Sequence, residues 1–406
     1  MTTRLSSLAA AVLAAAALFA GAAHAADGAH LERWRSYAGV TWAVSTPAGG
    51  DPAPFAQSVN APIAGIHFDT AGRAFVSTPR LVAADSPATL SILDTRATTG
   101  PARLTAFPSQ AANDVAGAPA THLRNVLGFY IDRRNGWLWA LDQGFVAGEA
   151  EAPAGAQKIV VFDVASGKAV KTIALDTVAD RKGSFLNDIV VDETRKVAYV
   201  SDSGLRSAPA NAAGIIVADF ATGTVRRVLD RHPAVLPRPG AKVMSHGEEV
   251  WPGKPLVLGV NGIALAPDGN TLYWTVTSAT HAHAIPTALL RDPRATPAAL
   301  AGAVRDLGDV GGNTDGIVTD AAGNLYIADV TRNGIVRYDP RGKAMTLQAT
   351  NDGVRWPDTP TVGPDGSIVV TASHLNGHFA GQVKAGEERY ELWRLVRDSV
   401  RDPVRD

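Results

Sequence analysis

Four residues at equivalent places in a repeated motif carry the oxygen chemistry of this sequence: Asn187, Asn261, Asp315 and Asp358. They open the segments Asn187-Asp-Ile-Val-Val-Asp, Asn261-Gly-Ile-Ala-Leu-Ala, Asp315-Gly-Ile-Val-Thr-Asp and Asp358-Thr-Pro-Thr-Val-Gly. Two carboxylates and two amide oxygens brought to one point suit a hard divalent cation, calcium or magnesium, with waters completing the shell. The alternative is that Asn and Asp cap strand starts and bond to turn backbone. Without a metal, Asp315 and Asp358 attract cations or bind hydroxyl and amine groups, and Asp315 or a loop His can serve as a base in proton transfer. Histidine is a second candidate. His281 and His283 are two residues apart, the spacing that shares a face on a strand and suits a transition metal. Read as loop residues, they make ordinary hydrogen bonds. His374 and His378 end the last repeat. Of these, His281, His283 and His374 are taken as ligand-binding candidates. The sequence has no His-Glu-x-x-His pair, no Gly-x-Ser-x-Gly elbow, no P-loop and no strand-linked dinucleotide fingerprint.

The elements that must position these residues are repeats. Two further copies of the motif precede the four, at Ala64-Gly-Ile-His-Phe-Asp and Leu127-Gly-Phe-Tyr-Ile-Asp. Each copy is followed by an Asp- or Gly-bearing turn and a second strand rich in β-branched and aromatic residues, as in Gly136-Trp-Leu-Trp-Ala-Leu and Thr271-Leu-Tyr-Trp-Thr-Val. Third and fourth strands follow in most copies, for example Gly214-Ile-Ile-Val-Ala-Asp and Thr224-Val-Arg-Arg-Val-Leu. Four short strands repeated six times predict an all-β, six-bladed β-propeller. A β-sandwich does not explain six returns of one motif. In a propeller the first strand of each blade faces the axis. The six opening residues then form a ring, with a polar arc of four facing Ala64 and Leu127. Trp137, Trp139, Tyr199, Tyr273, Trp274 and Tyr326 fall on second strands and are expected in the core or between blades.

The last repeat shows only three strands, and a spare strand, Gly39-Val-Thr-Trp-Ala-Val-Ser, precedes the first. Their pairing would close the ring and cover an edge. Long connections near 100–123, 144–156, 203–213, 230–258 and 279–313 are expected on the faces. At the N-terminus, Arg4, the apolar run Leu8 to Ala20 and Ala23-His24-Ala25 read as a signal peptide over residues 1–25, cleaved after Ala25. The run is shorter than the roughly 20 residues of a membrane span. Residues 26–406 are then one exported domain, periplasmic or secreted, with no membrane anchor. The 406 residues carry a formal charge of −1, which argues against a nucleic-acid partner. With no cysteine, the fold rests on its core, not on disulfides.

The order and spacing of several stretches resemble the yellow/major royal jelly protein family over nearly the whole mature chain. They include Tyr199-Val-Ser-Asp-Ser-Gly, Gly214-Ile-Ile-Val-Ala-Asp-Phe-Ala-Thr-Gly, Asn261-Gly-Ile-Ala-Leu-Ala-Pro, Ala284-Ile-Pro-Thr-Ala-Leu-Leu-Arg and Arg355-Trp-Pro-Asp-Thr. The resemblance implies a secreted six-bladed propeller with a ligand pocket at the channel mouth. Members of that family bind small amines or sterols, and some are linked to dopachrome conversion. A more distant likeness is to gluconolactonase-type propellers, whose metal is held by a Glu, two Asn and an Asp. Asn187, Asn261 and Asp315 match the last three, but Ala64 stands where the Glu is required. The expected function is a propeller that binds a small organic molecule in its channel, with isomerase activity on quinone-type or aromatic substrates as the catalytic form. Asp315 and Asp358 are its candidate catalytic residues. Two alternatives stand beside it: a divalent-metal-dependent lactonase using Asn187, Asn261, Asp315 and Asp358, and a non-catalytic protein-interaction scaffold.

Overall fold

The computed structural model describes residues 28–43, 53–55 and 57–397. The signal-peptide segment, 1–25, lies outside the described residues. Among the described residues no helix is long and apolar enough to cross a membrane.

Six blades each hold four antiparallel strands; five of the blades are four-stranded sheets, and blade one is extended to six strands by two short N-terminal strands, Val40–Trp42 and Ala53–Pro54. The innermost strands are Ile66–Phe68, Val126–Asp132, Leu186–Asp192, Val260–Leu265, Thr314–Thr319 and Pro357–Val362. Each touches the next, and the sixth touches the first, so the ring is closed. This is the six-bladed β-propeller expected from the repeats. Turns between strands carry Asp and Gly because their backbones need left-handed or tightly hydrogen-bonded positions. Asp69, Asp132, Asp192 and Asp320, one at the end of each of four opening motifs, accept N–H bonds from the turn that follows.

Between blades the second-strand aromatics fill the wedge. Trp139, Tyr199 and Trp274 are fully buried. Trp274, Tyr199 and Val217 belong to one cluster spanning blades three and four, and Trp139 with Ile189 and Val200 to another spanning blades two and three. A large aromatic suits this place because blades diverge outward and the gap widens with radius.

The ring closes through the N-terminus, but with a different strand. Ala29–Tyr37 runs antiparallel to Tyr390–Arg397 of blade six, from Ala29 opposite Arg397 to Tyr37 opposite Tyr390. The expected closing strand, Gly39 onward, instead lies on blade one: Val40–Trp42 runs parallel to Ala102–Leu104. Gly39, at φ +87°, makes the turn that separates the two roles. Trp42 decides the second role. Its ring is buried in the blade-one core, and its indole N–H donates to Ser91 Oγ at 3.1 Å. Residues 44 and 45 lie outside the described residues. A second correction concerns 279–313, expected as one connection. It contains the outer half of blade four, His281–Pro286 and Arg305–Asp309, joined by two short helices. The alternation His-Ala-His-Ala and the Gly in the last strand hid both strands from a pattern search.

The closing strand buries Leu31 and Tyr37. Starting the chain at residue 38 instead of 26 is therefore expected to cost on the order of 3–6 kcal/mol from those two side chains alone. Chemical denaturation of the two forms checks this, and equal midpoints would show that the strand contributes nothing to closure.

Candidate functional site

The opening motif is bent in the same place in five blades. Register breaks between Val126 and Phe129, Leu186 and Asp188, Val260 and Ile263, Thr314 and Ile317, and Pro357 and Pro360. Such a bulge kinks a strand and re-aims a side chain. Here it turns the opening residue toward the axis. The next residue must then pass against the neighbouring blade. A Cβ on Gly262 would stand 2.5 Å from the Asp315 carbonyl oxygen, and one on Gly316 2.5 Å from that of Asp358. Hydroxyls on second strands lock this approach. Ser77, Ser201 and Thr371 donate to the carbonyl oxygens of Leu127, Asn261 and Ala64, at 2.7, 2.6 and 2.6 Å.

The polar arc does converge. Asn187, Asn261, Asp315, Asp358 and Leu127 line one cavity of about 60 Å³ on the axis. Its collar is apolar: Phe185, Leu205, Trp251, Leu258, Trp356 and Phe379. Trp251 reaches over from the long blade-three to blade-four connection, and its indole donates to the Asn376 carbonyl at 3.0 Å. Asn376 and Phe379 come from the short helix Leu375–Phe379 in blade six.

Asp315 is held on both oxygens. Asn261 Nδ2 donates to Oδ1 and Trp356 Nε1 to Oδ2, each at 2.6 Å. Burial nevertheless pushes its pKa well above the usual carboxylate range, and the nearby Asp358 pushes it further, against the pull of those two bonds. Among the described residues, Asp358 accepts from Thr359 Oγ1 alone, at 2.8 Å, and burial raises it to about 7. Asn187 is 9% exposed, and its side chain makes no hydrogen bond among the described residues.

Other buried carboxylates at the ends of second strands differ sharply. Asp142 pairs with Lys158 at 2.7 Å, Asp202 with Arg227 at 2.8 Å and Asp329 with Arg332 at 2.6 Å. A buried carboxylate needs such a partner or it protonates. The axis carboxylates have none, and that combination of burial and missing countercharge marks sites more often than scaffolds.

A third axis carboxylate was not singled out from sequence. Asp188 accepts from the backbone N–H of Ile189 at 2.8 Å and of Ile263 at 3.3 Å. Burial first, with the Asp358 charge acting in the same direction, raises it to about 7. It lines the opposite, wider mouth of the channel, a cavity of about 470 Å³ shared with His67 and Thr361. One signal was legible: four of six motifs carry Gly at this second position, and blade three carries Asp. Trp251, Trp356 and Phe379 had no such signal, because they arrive from connections outside the repeat.

The histidines stand elsewhere. His281 and His283 lie on the third strand of blade four, not in a loop, and do not line the axial cavity. His374 precedes the short helix at φ +51° and also lies off the cavity wall, with burial lowering its pKa to about 4. His378 Nδ1 bonds the Val59 carbonyl at 2.8 Å. The donor types of the four axial residues fit a hard cation. Asn187 has a free amide, and a turn of the Asn261 amide would present its oxygen in place of its N–H. An ion held there by Asn187, Asn261, Asp315 and Asp358 would supply Lewis-acid polarisation of a carbonyl.

Asp358 binds its proton more tightly in the folded chain than the ordinary carboxylate at 3.8. Its contribution to stability is therefore complete below about pH 4 and is lost as pH rises through about 7. Asp358→Asn should remove that slope. Its melting temperature is expected to exceed that of the unaltered protein at pH 8, with the gap closing by pH 5. Parallel melting curves at all pH values would show that the carboxyl is not enclosed as described.

The family model described as major royal jelly protein matches residues 125–395, which run through blades two to six. No curated protein matches the chain. Similar solved structures include a luciferin-regenerating enzyme, at 13% identity and TM-score 0.49 over 83% of this chain and 91% of that one. A streptogramin B lyase aligns at 13% identity and TM-score 0.47, over 91% and 98%. A gluconolactonase-type propeller aligns at 15% identity and TM-score 0.47, over 92% and 94%. With a family match that spans five of the six blades, the chain belongs to the major royal jelly protein family.

Proposed function

We propose that this protein binds a small organic molecule at the narrow mouth of its channel. A cationic or hydrogen-bond-donating end would sit between Asp315 and Asp358, and an apolar body would lie against the collar. The observation that supports this most is the pair of axial carboxylates, Asp315 buried and Asp358 half-buried, with no cation beside them among the described residues, next to Asn187 inside an apolar rim. The cavity of about 60 Å³ has room for an ammonium or hydroxyl group. It is well below the roughly 150 Å³ that holds a benzene ring. The ring or chain of a ligand therefore belongs outside, between Trp251, Leu205 and Phe379.

The same arrangement supports proton-transfer chemistry. A carboxyl near pH 7 suits a general base. Asp358 would take the carbon-bound proton of a quinone-type substrate. Asp315, held in place by Trp356 and Asn261, would return a proton to its oxygen, giving a tautomer with no net change in atoms or electrons. Export by way of residues 1–25 belongs to this reading, which places the ligand outside the cytoplasm.

Calorimetry with tag-free protein, residues 26–406, tests the binding. Aromatic amines are expected to bind more tightly at pH 8 than at pH 5.5, because Asp358 loses its proton as pH rises through about 7. Asp315→Asn should weaken binding at least tenfold, about 1.4 kcal/mol. No heat or thermal shift with amines, catechols or sugar acids would overturn the proposal. A chelator arm separates the lactonase reading: if EDTA lowers the melting temperature and calcium or magnesium restores it, the carboxylates hold a metal instead of an amine.

A further inference from the structure

Away from the channel, blade four carries a second group of chemically capable side chains. On its third strand, His281–Pro286, Ala282 and Ala284 are fully buried against blade five. Successive residues of a strand alternate faces, so His281 and His283 share the other one, roughly 6–7 Å apart along the strand. That face looks toward blade three. His283 stacks on Trp274, with ring centroids 5.6 Å apart and 16° between planes.

The neighbouring strand, Arg305–Asp309, is bulged where it passes this pair, which sets Asp306 opposite His283. The Asp306 carboxylate turns to His281, and both its oxygens stand 2.9 Å from Nδ1. A carboxylate accepts only, so Nδ1 carries the proton and the Nε2 lone pair is left free. This is how a carboxylate fixes the tautomer of a metal-ligating histidine. The buried Nδ1 of His283 has no hydrogen-bond partner among the described residues. Burial also lowers its pKa to about 4, which keeps the ring neutral and able to donate a lone pair near pH 7. The nearby His232 is committed elsewhere: its Nδ1 accepts from Ala234 N–H at 3.1 Å, so its Nε2 holds the proton.

We propose that His281 and His283 form a site for a divalent transition-metal ion, copper(II) foremost, with Asp306 as the positioning residue behind His281. Imidazole nitrogens suit copper, nickel and zinc, and among these copper binds a given nitrogen site most tightly. Among the described residues no three His, Cys, Asp or Glu side chains surround one point. The protein thus supplies two nitrogens, and water or a small exogenous ligand fills the remaining positions. The site is independent of the channel.

Copper titration of tag-free residues 26–406 tests this, read by electron paramagnetic resonance and by tryptophan fluorescence. One copper per chain is expected, with hyperfine structure from two imidazole nitrogens and quenching of emission through Trp274, reversed by EDTA. His281→Gln and His283→Gln should each remove one nitrogen and weaken binding at least tenfold. Asp306→Asn should weaken it roughly 10–100-fold while both nitrogens remain. His374→Gln, far from the pair, should change nothing. Circular dichroism of each variant shows that it is folded, and His281→Ala serves if the Gln variant is not. Copper binding unchanged in the double variant His281→Gln/His283→Gln, or no copper signal in the unaltered protein, overturns the proposal.

Discussion

The structure turns on how closely six strands approach one axis. At the second position of the motif there is no room for a Cβ in Gly262 or Gly316 without striking the next blade's carbonyl oxygen. The bulge beside it bends each strand away from regular pairing and points the preceding side chain inward. Hydroxyl groups such as Ser201 and Thr371 then tie each blade to the opening residue of the next. The same contacts that close the ring therefore choose which side chains meet in the channel. Stability and site share one set of atoms, and a change to either is felt by both.

Within that frame the energetic contrast lies between two classes of buried carboxylate. Asp142, Asp202 and Asp329 are the last residues of second strands, each beside a cation and backbone N–H donors. These bonds hold the connections in place. Asp188, Asp315 and Asp358 face the channel without a cation, and burial drives all three upward. Keeping carboxyl groups there works against stability when they ionise. A cationic ligand or ion would relieve that cost, which is the physical reason for reading the axis as a binding site. The apolar collar adds to the effect, because low-dielectric walls strengthen each remaining electrostatic interaction.

The His281–His283 face shows the same logic at the periphery. A half-buried imidazole, His283, whose buried Nδ1 has no hydrogen bond among the described residues, sits beside one whose tautomer is fixed by Asp306. The contact of blade four with blade five is made by Ala282 and Ala284 on the opposite face of the strand, not by this pair.

Much of this was legible in the linear chain. Six returns of one motif fixed the architecture, since a repeat that cannot bury its own faces must stack on copies of itself. The equivalence of Asn187, Asn261, Asp315 and Asp358 followed from their place in that motif, and they do meet in one cavity. Even Asp188 was marked, as one of two departures, with Thr359, from glycine at that position. What the sequence could not decide depends on partners far away along the chain. Ala29–Tyr37, long and largely polar, and Val40–Trp42, short and apolar, are adjacent strands, and only packing decides that the first closes blade six and the second extends blade one. The strand of His281 and His283 has weak strand propensity, and it is pairing with Thr271–Val276 that makes it one. Trp251, Trp356 and Phe379 reach the mouth from connections that follow no repeat, so their place exists only once the ring is closed. The charge state of the channel is likewise a tertiary property: an aspartate is ordinary in the chain and becomes a proton-holding group only where folding removes water and supplies no cation.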